Sequence, residues 1–346
     1  MVDVLTVQAG RPRPVCVVTT QGDLTADRVI LHLADREVPV IRFDLADFPD
    51  RLRLNAVFDG ARWAGTLGAL GHAVELTEIG SVFWWHPEPV RAAHTLPAAA
   101  AEWVSRESTA GLAGVLASLD CLHVNHPAAT SAAQNKPDTL ATAARCGLSV
   151  PPTWVGNTPA EARGFEAAAP DGVVCKSLVS PHVDHGDGHH TILYTRPLTA
   201  DQLGPSLALM AHQLQHTIRK ETEVRLIAVG EHLFAGRISG AKGDFRANYG
   251  SLTYDHIDVP DPVRAGVHAL LDHYDLVYAA LDLLIDAEGR WWFVDLNPAG
   301  MYGWIEQHLD LSISGALADL LQRPALSARP RHQPAASPQT APHPRK

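Results

Sequence analysis

Residues 278–306 read YAALDLLIDAEGRWWFVDLNPAGMYGWIE, and this stretch decides the fold class. Residues 286–289 at its centre have the polar DAEG composition of a tight turn. Apolar residues precede this turn, and aromatic and β-branched residues follow it until Pro298 ends the run. The pattern predicts a hairpin of two antiparallel strands.

The predicted hairpin carries three oxygen-bearing side chains, Asp282, Asp295 and Asn297. Asp295 and Asn297 are two residues apart and share a strand face, on which Asp282 can converge from the other strand. Two carboxylates and an amide form a hard, incomplete ligand set, which Mg²⁺ prefers because water and phosphate oxygens complete its shell. The alternative is ordinary turn chemistry, since Asp-x-Asn before a proline is common and such carboxylates usually contact solvent.

The composition indicates a globular protein with several packed modules. The chain has 346 residues, of which 46% are hydrophobic, so a sizeable core is expected. We expect a cytoplasmic protein without a membrane-spanning helix, because no run of about 18 apolar residues and no apolar signal core occurs. A formal charge of −10 argues against a nucleic-acid partner. The four cysteines lack metal-ligand spacing and are expected to be free thiols.

Strands and helices alternate along the chain, which predicts an α/β fold. Residues 15–19, 23–34 and 38–43 have the strand, helix and strand pattern of a parallel sheet. Residues 53–76 predict a small antiparallel hairpin region, and residues 200–212 predict a helix. The turn after the first strand has a single glycine, and the chain has no P-loop motif, so neither familiar nucleotide-binding fingerprint is present.

The two ends of the chain differ in composition from the rest. Residues 1–12 are predicted to be a short disordered lead. Residues 324–346 contain six prolines and no apolar periodicity, so a disordered tail is predicted there. Between the ends we expect an N-terminal α/β domain at residues 13–128, followed by a second module from residue 129.

Two lysines are candidates for phosphate binding. Lys176 lies near the end of the apolar segment 172–178, GVVCKSL, where its ammonium either reaches solvent or meets a phosphate. Lys136 opens a helix predicted over residues 136–147 and has, by itself, the character of an ordinary surface residue. The local sequence leaves both alternatives open.

Residues 180–190, SPHVDHGDGHH, predict a polar loop rich in histidine, aspartate and glycine. Its composition allows a zinc site, although the spacing matches no closed tetrahedral ligand pattern. The glycines favour a flexible loop over bound phosphates, because backbone N–H groups can then approach an anion closely.

Residues 219–246 are locally basic, with six basic and four acidic residues in a chain whose net charge is −10. One interpretation is a cationic wall for phosphoryl groups and a carboxylate substrate, with Arg246 in the GDFRAN segment as the best single candidate. The other interpretation is a solvated edge strand with ordinary charges.

These segments together resemble the ATP-grasp superfamily, over residues 15–321. Within it, the chain is most similar to the graspetide, or microviridin-type, synthetases that cyclise ribosomal peptides, and also to the ligase that adds glutamates to a ribosomal protein. The motifs that carry the resemblance are NKPDTLATAARCGLSVPPT (135–153), VVCKSL (173–178), EVRLIAVG (223–230), GRISGAKGDFRANYGS (236–251) and the 280–306 segment.

The resemblance implies an ATP-grasp fold, with an N-terminal pre-ATP-grasp-like domain and two α+β subdomains that enclose ATP. The subdomains would span residues 129–212, with a phosphate lid at 180–190, and residues 213–323, with the magnesium site. Lys136 and Lys176 would contact the ATP phosphates. The hinge whose backbone reads the adenine edge would comprise Gln215, His216, Thr217 and Ile218.

The resemblance also implies roles in metal binding and catalysis. Asp282, Asp295 and Asn297 would hold Mg²⁺. The residues that would stabilise the transferring phosphoryl group and the tetrahedral intermediate are Arg246, Arg225 and Arg237. The chain departs from the family at three places: Asp295 replaces the usual glutamate, the hinge has an unusual His216 and Thr217, and His86 stands where arginine is common.

The expected activity is an ATP-dependent carboxylate–alcohol or carboxylate–amine ligase. It would activate Asp or Glu side chains of a ribosomal precursor peptide as acyl phosphates and form intramolecular ester or amide links. The resemblance also implies a homodimer. Two alternatives remain open: a glutamate or amino-acid ligase acting on a small molecule or a protein tail, and a non-catalytic protein that binds a leader peptide.

Overall fold

The computed structural model describes residues 3–5, 12–92, 95–179, 182–184, 189–192, 195–240 and 252–323. Its strands are β1 (Asp3–Leu5), β2 (Val15–Val18), β3 (Val40–Phe43), β4 (Leu52–Phe58), β5 (Trp63–Ala69), β6 (His72–Glu75), β7 (Ser81–Trp84), β8 (Leu122–Val124), β9 (Thr153–Gly156), β10 (Val173–Lys176), β11 (His182–Asp184), β12 (His190–Ile192), β13 (Arg196–Leu198), β14 (His212–His216), β15 (Lys220–Val229), β16 (His232–Ser239), β17 (Thr253–His256), β18 (Tyr278–Asp286) and β19 (Trp291–Asn297). Its helices are α1 (Leu24–Asp35), α2 (Ala98–Ala117), α3 (Pro127–Ala133), α4 (Lys136–Arg145), α5 (Pro159–Ala167), α6 (Asp261–Tyr274), α7 (Gly303–Leu309) and α8 (Ile313–Leu321). The α/β fold class is confirmed.

The N-terminal domain contains a parallel sheet with the strand order β3-β2-β7-β8. Residue Val15 opens β2 and pairs with Val40 on one side and Ser81 on the other. Asp23 caps α1 by accepting hydrogen bonds from the backbone N–H groups of Thr25 and Ala26, which leaves fewer unpaired donors at the helix start. The predicted strand–helix–strand beginning is therefore confirmed.

A second, mostly antiparallel sheet packs beside it, with the order β1-β6-β5-β4. It confirms the hairpin region predicted at residues 53–76. The expectation of disorder throughout residues 1–12 is wrong for Asp3–Leu5, which forms β1 and pairs in parallel with β6. The physical reason is that β6 would otherwise be an edge strand, whose open N–H and C=O groups accept a further strand.

The central sheet has the order β13-β10-β14-β9 and packs its Leu214 face against α5. The helix predicted over residues 200–212 is wrong: the structure has two short 3₁₀ turns, Ala200–Gln202 and Pro205–Leu209, and then β14. Gly204 and Pro205 interrupt the helix because proline lacks the amide donor and glycine favours other conformations. Strand β14 extends this sheet beyond the subdomain boundary expected after residue 212.

The C-terminal sheet has the order β17-β16-β15-β18-β19 and is antiparallel. One face, with Leu226 and Leu281, packs against α4 and α6 in one buried core. The other face, with Ile227 and Ala280, packs with α7, α8 and the parallel sheet of the N-terminal domain in a second core. This shared core anchors the predicted metal-binding hairpin to the N-terminal domain. Within the described ranges, no helix is both long and apolar enough to cross a membrane.

Candidate functional site

Strands β18 and β19 bring the two candidate carboxylates together. Asp282 and Asp295 are direct cross-strand partners. The next pair is Leu283 with Phe293, so Val294 is an extra residue and forms a β-bulge. A bulge bends its strand and changes the direction of the neighbouring side chains. Here the bulge lies directly beside Asp295. The predicted hairpin is confirmed, and its register puts both carboxylates on one face.

Arg225 holds Asp282 in place. Its Nη1 donates to Asp282 Oδ1 at 2.8 Å, and its Nη2 donates to the carbonyl of Met301 at 3.0 Å. The side chains of Arg225 and Asp282 are 8% and 13% exposed, so this ion pair is largely screened from water. Arg225, predicted to act on the transferring phosphoryl group, thus has both terminal nitrogens engaged, one with the β18–β19 hairpin and one with the turn that follows it.

Lys136 approaches the second carboxylate. Its Nζ lies 3.8 Å from Asp295 Oδ2, which is close enough for attraction between charges but too long for a hydrogen bond. The start of α4 is fixed by Asn135, whose side chain caps the helix, and by the Tyr274 hydroxyl, which donates to Asp138 at 2.6 Å. Burial, followed by the bond to Asp138, raises the pKa of Tyr274 and keeps this donor protonated.

Lys176 points from the central sheet toward the same bulge. Its Nζ donates to Gln215 Oε1 at 2.8 Å and to the carbonyl of Val294 at 3.3 Å. The amide of Gln215 in turn donates to Thr153 Oγ1 at 3.0 Å. Because Gln215 is buried and its own amide is hydrogen-bonded, its side chain restricts the orientation of Lys176. The sequence left open whether the Lys176 ammonium reaches solvent or meets a phosphate. In the structure it lies between the central and C-terminal sheets.

The predicted adenine-reading stretch divides into two parts. Gln215 and His216 belong to β14, which is paired on both edges. The backbone N–H of His216 donates to Pro152 and that of Thr217 donates to Gly172, both at 2.9 Å. Thr217 and Ile218 lie in the short connection from β14 to β15, which links the central sheet with the C-terminal sheet. This connection has the position expected of an interdomain hinge.

A narrow cavity lies between the two sheets. Its lining includes Lys136, Gln213, Val294 and Asp295, and its volume is about 10 Å³. Pockets for small molecules usually measure about 300–1,000 Å³, so this cavity is too small to hold one as the described walls stand. Gln213 was not among the predicted site residues. It is buried, and its Oε1 has no partner within the described chain. The sequence could have indicated it, because Gln213 and Gln215 are two residues apart and alternate residues share a strand face.

The remaining predicted residues are placed differently. Arg237 is exposed and pairs across the strands with Val224, whereas Arg225 pairs with Gly236, so the two arginines project from opposite faces of the sheet. The expectation that Arg237 joins Arg225 at one site wall therefore fails. Arg246 lies outside the described residues. Of the 180–190 segment, the structure describes strands β11 and β12, which pair as a hairpin, and His189.

The donor set fits a hard divalent cation. Asp282 and Asp295 supply carboxylate oxygens on one face, and Asn297, which is exposed, follows at the end of β19. These are the oxygen types that bind Mg²⁺, in contrast to the thiolate and imidazole ligands that zinc favours. No cluster of three histidine, cysteine, aspartate or glutamate side chains occurs among the residues that the structure describes. A magnesium site completed by an amide and phosphate oxygens agrees with this arrangement.

The chain is similar to known proteins over most of its length. Residues 14–131 match the family described as the MvdD pre-ATP grasp domain. A RiPP-associated ATP-grasp ligase from Chryseobacterium gregarium, solved with ADP and a leader and core peptide, is 25% identical, covers 89% of this chain and 96% of its own, and has a TM-score of 0.80. Macrocyclase MdnB from Microcystis aeruginosa is 28% identical, covers 90% and 99%, and has a TM-score of 0.72.

A third structure, macrocyclase MdnC from Microcystis aeruginosa bound with precursor peptide MdnA, is 23% identical, covers 89% and 98%, and has a TM-score of 0.78, which supports the fold alone. No curated protein sequence matches the chain. The fold is that of the ATP-grasp ligases, and the match over residues 14–131 agrees with it. The similar structures include a RiPP-associated ligase and a macrocyclase, so the resemblance given by the sequence motifs is confirmed.

Proposed function

We propose that this chain activates Asp or Glu side chains of a ribosomal precursor peptide as acyl phosphates and joins them to hydroxyl or amine groups of the same peptide. The observation that carries the proposal is the convergence of two cross-strand carboxylates with cationic side chains from three different elements. Asp282 and Asp295 face Arg225, Lys136 and, one residue along the bulge, Lys176. Such mixed charge suits a site that handles both a metal ion and phosphates.

The lysines would neutralise the phosphates of ATP. Lys136 lies at the start of a helix, where the unpaired backbone N–H groups also favour an anion. Lys176 already sits on the bulge, and its contact with Gln215 restricts its orientation before any nucleotide arrives. Both ammonium groups would exchange a protein oxygen for a phosphate oxygen, at the cost of separating the two sheets.

The carboxylates and Asn297 would hold Mg²⁺. When bound, Mg²⁺ supplies charge neutralisation between the phosphates and orients the phosphoryl group for transfer. Arg225 would fix the direction of Asp282 through the hydrogen bond between their side chains. Asp295 is shorter than the glutamate that related ligases usually have at this position. Its carboxylate lies 3.8 Å from the ammonium of Lys136, which partly neutralises its charge.

The reaction proceeds in two balanced steps. A substrate carboxylate attacks the γ-phosphorus of ATP, so that the new acyl–phosphate bond replaces the bond to ADP. A hydroxyl or amine of the peptide then attacks the acyl carbon, and phosphate leaves with the former carboxylate oxygen and takes up the proton that the nucleophile loses. Arg246 is proposed as the group that stabilises the oxyanion formed in this second step. Arg225 would act indirectly, and Arg237 has no proposed contact with the substrate.

The remaining parts of the proposal concern recognition and assembly. Thr217 and Ile218 would pass along the adenine edge, and the 180–190 segment would cover the phosphates. A precursor peptide with a leader and an acidic, threonine-rich core is the proposed partner, because related ligases were solved with leader and core or precursor peptides. A homodimer is also proposed, and light scattering of the purified chain would reveal its mass.

The test is ATP turnover with Mg²⁺, with and without a candidate precursor peptide encoded beside the gene, combined with the intact mass of that peptide. We expect peptide-dependent ADP release and the loss of one water per ring. Asp295→Asn should abolish both, whereas Asp255→Asn, an exposed carboxylate on β17 of the same sheet, should leave both intact. ADP release without loss of mass would favour a small-molecule ligase, and peptide binding without turnover would favour the non-catalytic alternative.

A further inference from the structure

Four consecutive backbone carbonyls follow Asn297, and each accepts a hydrogen bond from a different side chain. We call these side chains the carbonyl clamp: Asn125 Nδ2 donates to Pro298 (2.8 Å), His86 Nε2 to Ala299 (2.7 Å), the Tyr278 hydroxyl to Gly300, and Arg225 Nη2 to Met301 (3.0 Å). Two donors belong to the C-terminal sheet and two belong to the N-terminal domain. Such a run of individually paired carbonyls defines the path of the segment closely.

Asn125 is the most deeply placed member of the clamp. It follows β8 and is 3% exposed. Besides its bond to Pro298, Nδ2 donates to the carbonyl of Tyr278 at 2.7 Å, and Oδ1 accepts from the backbone N–H groups of Val277 and Tyr278 at 2.9 and 3.1 Å. All four hydrogen-bonding positions of the amide are therefore in use. The N-terminal domain thus fixes both the start of β18 and the turn after β19.

His86 reaches the same turn from the end of β7. Its side chain is exposed, and its ring lies 4.8 Å from that of Trp85, centre to centre. Because the Ala299 carbonyl can only accept, Nε2 must carry the hydrogen in this contact. The clamp therefore includes one member whose own side chain lies at the surface, although its ring covers the buried Trp85.

The clamped segment is bonded directly to the candidate metal ligand. The Oδ1 atom of Asn297 accepts from the Ala299 N–H at 3.0 Å, and the Asn297 carbonyl accepts from the Gly300 N–H at 3.2 Å. Any shift of residues 298–301 therefore moves the amide of Asn297. Gly300 permits this close arrangement, since a Cβ there would lie 2.5 Å from Ala280 Cβ and 2.7 Å from Arg225 Nη2.

We infer that Asn125 and His86 are positioning residues, through which the N-terminal domain sets the place of Asn297 and hence the affinity of the site for Mg²⁺. The inference rests on the proposed function, in which Asn297 is a metal ligand. Neither residue contacts the metal itself. Residues that hold a ligand in place commonly change metal affinity when they are replaced, because the ligand then samples other positions.

The test is the affinity for Mg²⁺ of the full chain saturated with ADP, measured by titration calorimetry, together with the affinity for ADP in the presence of a chelator. His86→Ala should weaken Mg²⁺ binding about fivefold, the equivalent of one hydrogen bond. His86→Gln, whose Nε2 can reach the same carbonyl, should recover most of this loss. Asn125→Ser should weaken binding by about tenfold or more, because it removes bonds at several backbone groups. Binding of ADP with the chelator should stay unchanged in each.

Tyr302→Phe is the matched control. It removes a buried hydroxyl from the same core, where that group contacts Ser314 at 3.1 Å, and it leaves the clamp complete. Wild-type affinity in His86→Ala and Asn125→Ser would overturn the inference while the proposed function stood. Equal weakening of ADP binding with and without Mg²⁺, or no rescue by His86→Gln, would show a general structural effect and would also overturn it. A wild-type chain that binds no Mg²⁺ with ADP would refute the proposed function itself.

Discussion

Replacement of Arg225 by methionine is the sharpest test of how the site is built. The variant keeps much of the side-chain length but removes the charge that faces Asp282 and the donor that faces Met301. Both side chains of the ion pair are largely buried, at 8% and 13% exposure, so the small values typical of surface ion pairs do not apply. Removal of one partner from a buried pair costs about 3–5 kcal/mol, and we expect a loss of stability in that range.

A double-mutant cycle separates this pair from general damage. Asp282→Asn removes the opposite charge, and the double variant should be less destabilised than the sum of the single variants by about 2–3 kcal/mol. Chains with several packed modules unfold in more than one step, so hydrogen exchange of the amides in β15 and β18 is the appropriate local measurement. Arg237→Met is the matched control, because this exposed arginine on β16 should change stability by only about 0.5 kcal/mol or less.

One outcome of the double-mutant cycle would contradict an interaction between Arg225 and Asp282. If the effects of Arg225→Met and Asp282→Asn simply add, the two side chains do not interact in the folded chain. The proposed role of Arg225 in orienting Asp282 for metal binding would then be refuted. A destabilisation by Arg237→Met as large as that by Arg225→Met would equally contradict the placement of the two arginines on opposite faces.

Further predictions concern phosphate binding, metal geometry, the turn and the buried thiols. Lys176→Ala and Lys136→Ala should each raise the KM for ATP about 10- to 100-fold, the usual range for a charged hydrogen bond, and an unchanged KM would remove that lysine from the site. Asp295→Glu should retain Mg²⁺-dependent turnover at a reduced rate, whereas Asp295→Asn should lose it; equal loss in both would show that length matters more than charge. Gly300→Ala should weaken Mg²⁺ binding in calorimetry more than His86→Ala does, because its Cβ would press on Arg225; equal affinities would contradict the packing. Burial raises the pKa of the Cys16 thiol, so Cys16 should react slowly with thiol reagents until the chain unfolds; desolvation, opposed by the charge of Arg13, raises the pKa of the half-buried Cys121 to about 12, and its thiol should also react slowly. Fast labelling of Cys16 in native protein would contradict its burial.

The raised pKa of the Cys16 thiol determines how the stability of the chain changes with pH. A thiol whose pKa is raised in the folded chain is neutral in both states below its ordinary value of about 9, so its contribution to stability is constant there. Above that value the unfolded thiol ionises first, and stability falls as the pH rises.

Local patterns allowed much of the fold to be predicted from the sequence. The hairpin around residues 286–289, the helix beginning at Lys136 and the strand ending at Lys176 were all predicted because turn residues, a helix cap and apolar runs act over a few positions. The helix expected at residues 200–212 failed because Gly204 and Pro205 outweighed the surrounding apolar residues. The strand at Asp3–Leu5 was missed because its partner, β6, lies almost 70 residues away in the chain.

The sequence indicates the candidate ligands but not the side chains that support them. Asp282, Asp295 and Asn297 could be chosen as candidates because two short strands carry them. The contact between Arg225 and Asp282 joins residues 57 positions apart, and that between Asn125 and Pro298 joins residues 173 positions apart. No periodicity connects such positions, and an asparagine after a short strand has no distinctive local pattern. The carbonyl of Val294 at the bulge likewise accepts from Lys176, which is 118 positions away in the chain.

The measurement that tests the central claim most directly is the fate of the substrate's carboxylate oxygen. A candidate precursor peptide with heavy oxygen in its Asp and Glu side chains would be incubated with the enzyme, ATP and Mg²⁺, and the released phosphate would be analysed by mass spectrometry. If the carboxylate is activated as an acyl phosphate, one heavy oxygen should appear in phosphate for each ring formed. The Asp295→Asn variant should release no labelled phosphate. Ring formation that leaves the phosphate unlabelled would contradict activation of the carboxylate as an acyl phosphate.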